Sequence, residues 1–288
     1  MIALIGAPTS AGAFAPGQED APGALRGAGL LDALRGAGRQ VVDRGDTPRF
    51  RWRVDHDEPR AMNAAAVVDG VHAVAELAAA AIGAGELPLV LGDCTVGVGT
   101  VSGAVAAGAE PRLIYFDMHP DLNTPASVPD GALDWMGVAH MLDIEDADDR
   151  FASAGARRPL LHDTDLVLFA ADPKQSTPHE RQVIEARGLE PLGVDAAHRA
   201  LERATADGRR FLVHFDVDVI DFSDVPLSEN TGRGVGITFD AAFAALDVLV
   251  RHDALLGLTV TELNPHHGAQ DGSDLTRFAR RLAAALSA

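Results

Sequence analysis

The chain has 288 residues, with 42 acidic against 24 basic side chains, a net charge of −18, and 47% hydrophobic but only 5% aromatic residues. That composition excludes a disordered or collagen-like chain. The charge disfavours a nucleic-acid groove, because phosphate would be repelled and no basic stripe offsets it. One cysteine, Cys94, excludes an internal disulfide and any zinc module that needs two or more thiolates.

An acidic field favours a cationic small molecule, although net charge by itself is explained more simply as surface acid kept for solubility. No apolar run reads as long enough to cross a bilayer, since charge or glycine interrupts each Ala/Val stretch. The first residues form a short apolar stretch with no basic leader, so the expected compartment is the cytoplasm.

In chain order, a strand over residues 2–6 precedes a Gly-, Pro- and Ala-rich loop over 7–21. A helix over 22–36 leads to a strand at 40–43, and a helix over 61–84 to a strand at 87–91. Next come a helix over 96–107, a strand at 113–116 and a long loop over 117–137 that carries acids and prolines. Strands at 166–170 and 189–194 flank a helix over 178–186. A helix over 196–206, a strand at 211–215, a helix over 239–251, a strand at 256–261 and a helix over 275–286 complete the order. Such alternation, with nearly continuous apolar strands, predicts an α/β fold whose parallel sheet is covered on both faces. Neither a linker nor a repeat divides residues 1–288, so one domain is expected.

Parallel sheets build their sites at the carboxyl ends of strands, and acids collect at those ends here. The strand at 87–91 runs into Gly92-Asp93-Cys94, and that at 113–116 into Asp117-Met118-His119-Pro120-Asp121. The strand at 211–215 runs into Asp216-Val217-Asp218, and the strand ending at Thr261 delivers Glu262-Leu263-Asn264-Pro265. Alternate spacing aims Asp117, His119 and Asp121 at one point if the backbone stays extended, and the same holds for Asp216 and Asp218. Four or more converging carboxylates would repel one another without cations between them. Oxygen-rich ligation with an imidazole suits Mn²⁺, with Fe²⁺, Co²⁺ and Zn²⁺ as the other candidates. His119 is read as a ligand, and His214 as a packing or hydrogen-bonding residue. His56, His72, His162, His179, His198 and His252 are read as surface or loop histidines. His266 and His267 lie close enough to Glu262 to line a site, but a solvated loop is the preferred reading.

The stretches LGDCTVGVGTVSG, YFDMHPDLNTP, HFDVDVID, GVGIT and VTELNP resemble the ureohydrolase family of arginases, agmatinases and related guanidino-acid hydrolases. The resemblance implies a three-layer α/β/α fold around a mainly parallel, eight-stranded sheet. It implies two Mn²⁺ ions that activate a bridging hydroxide to attack a guanidinium carbon and release urea. Asp117 and Asp216 match the bridging carboxylates; Asp121 completes the first metal site, and His119 and Asp218 the second. Glu262 matches the acid that receives the guanidinium, with Thr231 beside it. Asn123 and Asp172 match residues that hold the amino-acid end of the substrate in arginases. Trimers or hexamers are the implied assembly.

Two departures make this a divergent member. Cys94 stands where the family usually has a histidine ligand, and Asp134 where arginases carry a proton-shuttling histidine. His140, six residues further on, is a candidate substitute for that shuttle, with a plain helix histidine as the equal alternative. Asp130 and Ala132 replace the Ser and Asn that help hold the substrate carboxylate, and an aspartate there would repel it. A strict L-arginase is therefore not expected. Cys94 is readable as a thiolate ligand, as an unligated thiol beside a weak or empty first site, or as a small core residue. The alternatives to a ureohydrolase are a single-metal amide deacylase of the same fold and a non-catalytic, metal-stabilised family member.

Overall fold

Strands apolar along most of their length need cover on both faces, and two layers of helices provide it in the computed structural model, which describes residues 1–287. The strands are β1 (Ile2–Gly6), β2 (Val41–Asp46), β3 (Leu87–Leu91), β4 (Arg112–Phe116), β5 (Leu166–Phe169), β6 (Phe211–Asp216) and β7 (Leu255–Thr261). They form one sheet in the order β2-β1-β3-β7-β6-β4-β5, and every pair is parallel. The helices are α1 (Ala21–Gly27), α2 (Leu30–Gly36), α3 (Ala64–Gly83), α4 (Val96–Ala106) and α5 (Gly137–Met141). They continue with α6 (Asp149–Ala152), α7 (Pro178–Ala186), α8 (Ala197–Thr205), α9 (Phe239–Val250) and α10 (Ser273–Ala285). One core joins the sheet to α1, α2, α8, α9 and α10; on the other face the sheet packs against α3 to α7. Within β4, Ile114 and Phe116 enter the first core while Leu113 and Tyr115 enter the second. The result is the expected α/β/α arrangement.

Three elements differ from expectation. The sheet has seven strands rather than eight, because residues 189–194 pair with β5 only through a bridge between Phe169 and Leu192. Pro191 lacks a backbone donor and Gly193 weakens extended pairing, so the ladder cannot grow past Leu192. The helix expected over 22–36 is broken into α1 and α2 at Gly29, whose φ of 84° belongs to the left-handed region. Helix α3, at 20 residues, is long and apolar enough by length and composition to cross a membrane, which corrects the reading that no run was. In this fold it is a layer helix. Val67, Val71, Val74, Ala78 and Ala81 are buried, and Asp69, His72 and Glu76 are exposed on its outer side.

Glycines in α4 let α3 lie close to it. A Cβ on Gly99 would stand 2.7 Å from the Val71 carbonyl oxygen, and one on Gly103 would stand 2.7 Å from that of Ala75. Replacing Gly103 with alanine gains helix propensity worth up to about 1 kcal/mol. It also forces two backbones apart, which costs about 1–3 kcal/mol. The second effect is expected to win, lowering Tm by a few degrees in a calorimetric melt; an unchanged or higher Tm would show that the contact is loose.

Candidate metal centre

Strand order explains the convergence of the acids. Strands β3, β7, β6 and β4 are consecutive neighbours in the sheet and, being parallel, end at the same edge. Cys94 follows β3, Glu262 follows β7, Asp216 ends β6, and Asp117 opens the loop after β4. These four residues, with His119, Asp121 and Asp218, line a cavity of about 550 Å³. The same local turn orients both leading acids: one oxygen of Asp117 accepts the His119 amide, and one of Asp216 accepts the Asp218 amide, each at 2.7 Å.

His119 Nδ1 lies 3.1 Å from an oxygen of Asp218 and 3.4 Å from one of Asp117. Ligand atoms of Asp117, His119 and Asp218 all fall within 4.8 Å of one another, a grouping able to hold a metal ion. The other oxygen of Asp218 is buried without a hydrogen-bond partner, which is costly unless a cation satisfies it. The donor set of Asp117, His119 and Asp218, with that unpartnered oxygen, therefore fits a metal. Burial and the neighbouring Asp218 push Asp117 up to about 7. Burial raises Asp121 and Asp216 well above the carboxylate range too, aided by Asp117 at the first and Asp218 at the second. Burial lowers His119, but Asp218 and Asp117 outweigh it and push the imidazole well above its ordinary value.

A second group consists of Cys94, His214 and Asp216, again with ligand atoms within 4.8 Å. The Cys94 thiol donates to Asp216 at 2.7 Å and lies 3.2 Å from the Thr261 hydroxyl. Burial and then Asp216 push this thiol well above its ordinary value. His214 stays behind the cavity: its ring stacks on Tyr115 with centroids 4.2 Å apart, and its Nε2 is 3.0 Å from Thr261 Oγ1. Asp121, in the left-handed region at φ 50°, accepts a hydrogen bond from the Tyr115 hydroxyl.

Elsewhere in the cavity lining, Glu262 also has a positive φ, 59°, and its carboxylate accepts the Gln18 amide at 2.6 Å. Backbone strain of about 1–3 kcal/mol at such positions is typical of functional sites. Asp130, Ala132, Asp134 and Thr231 line the cavity as well. Asn123, Asp172 and His140 do not. Asn123 is buried, with its side-chain oxygen accepting the Thr177 hydroxyl at 2.8 Å. Asp172 caps its own turn through the Lys174 amide at 2.9 Å.

His140 corrects the reading of it as a substitute shuttle. Its Nδ1 is 2.6 Å from the Met136 carbonyl, its Nε2 accepts the Asp148 amide at 2.9 Å, and its ring packs on Phe151. Burial lowers it to about 4. Both nitrogens are engaged away from the cavity.

Phe14, Trp135, Glu229, Asn230 and His267 line the cavity without having been singled out as site residues. His267, five positions after Glu262, was close enough to be considered, and it is held by the Ser228 carbonyl at 2.8 Å. Glu229 lies on an irregular loop that no periodicity marks.

A sequence model of the arginase family matches residues 1–287. The chain belongs to the arginase family. An arginase from Eremothecium gossypii is 29% identical, the match covering 93% of this chain and 70% of that protein. An arginase from Bacillus caldovelox has the same fold, with a TM-score of 0.86, 21% identity, and coverage of 100% of this chain and 98% of the other. A formimidoylglutamase from Bacillus subtilis superimposes with a TM-score of 0.71 and 18% identity, covering 99% of this chain and 86% of that one.

In this arginase-family chain the one soft donor at the cavity is Cys94. A thiol must lose its proton before it can ligate, and carboxylate and imidazole suit Mn²⁺ better than sulfur does. Replacing Cys94 with histidine is expected to tighten Mn²⁺ binding by about tenfold, equivalent to ~1.4 kcal/mol. Titration of metal-free protein with Mn²⁺ checks this; unchanged occupancy and activity would place Cys94 outside the ligand set.

Proposed function

We propose that this chain is a metal-dependent hydrolase of a guanidino or amidine C–N bond, releasing urea from a small cationic substrate that lacks the α-carboxylate of L-arginine. The supporting observation is the cavity lining, which contains eight carboxylates and neither lysine nor arginine. Family membership supports the hydrolytic half of the reading.

Two Mn²⁺ ions are the proposed cofactor, and Asp117 and Asp216 would contribute to holding both. Asp121 and Cys94 would complete the first site, the weaker one, and His119 and Asp218 the second. Metal bound there supplies a nucleophile at neutral pH, since coordination lowers the pKa of water from 15.7 to about 7.

The chain's own residues do the rest. Glu262 receives the guanidinium, whose planar N–H groups suit two parallel hydrogen bonds to a carboxylate. Gln18 fixes that carboxylate by donating to one oxygen at 2.6 Å. Asp134 is buried at the cavity, where burial and then Asp93 raise its carboxyl well above its ordinary value, and it is the proposed donor of a proton to the leaving nitrogen. Asp130, at the same cavity, opposes a substrate carboxylate.

Metal-loaded protein incubated with L-arginine, agmatine, guanidinobutyrate, formiminoglutamate and acetylated polyamines provides the test. Urea from agmatine-like compounds is the expected result. Efficient cleavage of L-arginine would remove the claim about Asp130, and inactivity throughout would favour a non-catalytic member. A single-metal amide deacylase is the second reading, because the group of Asp117, His119 and Asp218 is complete without Cys94. Acetate as the sole product would select it.

A further inference from the structure

Of the eight carboxylates at the cavity, Asp117, Asp121, Asp216 and Asp218 are the acids that two divalent ions would neutralise. One guanidinium matches Glu262. Asp134 has the proposed role of proton donor, and Asp130 is exposed to solvent. That leaves Glu229, a buried side chain with no arginine or lysine bonded to it among the described residues. Its side-chain contact is the Asn264 amide, which donates to one carboxylate oxygen at 2.5 Å. Asn264 sits two residues beyond Glu262, and the Glu229 backbone amide donates to the Glu262 carbonyl at 2.7 Å. The two glutamates are thus anchored on adjoining backbone, with both carboxylates facing one cavity.

The groups of opposite sense near Glu229 are the imidazoles of His267 and His266, and neither is hydrogen-bonded to it. A buried carboxylate without a hydrogen-bonded cation is expensive, and a ligand cation removes that cost. Phe14, half exposed, and Trp135 line the same cavity, and aromatic faces favour an alkylammonium. A volume of about 550 Å³ suits a short alkyl chain.

We infer that Glu229 is a specificity-determining residue that receives a second positive group, making the preferred ligand an alkyl dication with its guanidinium on Glu262 and an ammonium on Glu229. The inference rests on the reading of Glu262 as the guanidinium acceptor. It separates a dication from an alkylguanidine of the same length by one charge at one residue.

The test uses metal-loaded protein and two amines that cannot be hydrolysed, 1,4-diaminobutane and n-pentylamine, titrated calorimetrically. The diamine is expected to bind on the order of tenfold more tightly, the scale of one added hydrogen bond between charged groups. Glu229→Gln keeps an acceptor for Asn264 but loses the charge, and should abolish the diamine's advantage. Glu229→Asp, which keeps the charge, should retain most of it. Equal binding of the two amines by the native protein, or equal losses for both in Glu229→Gln, would overturn the inference. Urea release measured on the same samples separates the two claims. A diamine preference that depends on Glu229, without urea from any guanidine, upholds the dication site and removes the hydrolase reading. Urea production with no diamine preference does the reverse.

Discussion

Asp216→Ala is expected to strip both metal ions from the protein and to abolish urea release. One oxygen of Asp216 is fixed by the Asp218 amide at 2.7 Å, and the other meets the Cys94 thiol at 2.7 Å. The residue is a member of the Cys94 group, and it orients Asp218 of the other group, so its loss is expected to disturb both. After Mn²⁺ reconstitution and gentle desalting, native protein should keep more than about half an ion per chain, and the variant almost none. Loss of the metal forfeits several kcal/mol of transition-state stabilisation, more than about a hundredfold in kcat. Full metal retention would show that Asp216 does not bridge.

Chelation should reveal the same acids through stability. Burial and like charge raise Asp117 from 3.8 to about 7, and they raise Asp121 and Asp216 as well. Between those values these carboxyls bind more protons folded than unfolded, so their contribution to stability falls as pH rises. His140 and His214, lowered by burial to about 4 and about 3, act in the opposite sense. The Tm of metal-free native protein relative to metal-free Asp216→Ala, a comparison in which those histidines cancel, is expected to fall from about pH 4 to about pH 7. A relative Tm that climbs over that interval would contradict the electrostatic account.

How much of this was legible depends on which interactions are local. Helix α7 was bounded correctly because its signals lie in sequence: Thr177 caps it, Pro178 opens it, and Glu180 closes the capping box. The strand-end acids were legible because apolar runs precede them and parallel strands end together. Pro191 and Gly193 were equally visible, yet the apolar pattern around Leu192 outweighed them in reading an eighth strand. The fate of His140 was not legible, since its partners, Met136 and Asp148, become visible only once the turn after α5 closes. Glu229 was hidden for a similar reason. Its loop reaches the cavity through a bridge between Ser228 and Leu263, a pairing across 35 residues that no local periodicity announces.

Glu262→Gln should separate function from stability, lowering activity while making the metal-free protein more stable. The substitution preserves size and removes a charge. Glu262 is fully buried, pushed well above the carboxylate range by burial and then by Asp134 and Asp218, with Glu229 adding to the repulsion. As an acid with a raised pKa, it stabilises the fold least at high pH, so the loss of its charge helps most there. The gain in Tm should accordingly be larger at high pH than at low pH. Activity moves the other way. A guanidinium facing a neutral amide loses one charged partner of a buried pair, which costs about 2–5 kcal/mol. That corresponds to roughly thirty- to several-thousand-fold in kcat/KM. Trading stability for a destabilised acid is a common arrangement at active sites. If Glu262→Gln left urea release intact, the guanidinium would have to be held elsewhere, and Asp134, the cavity acid that repels Glu262 most, would be the residue to replace next.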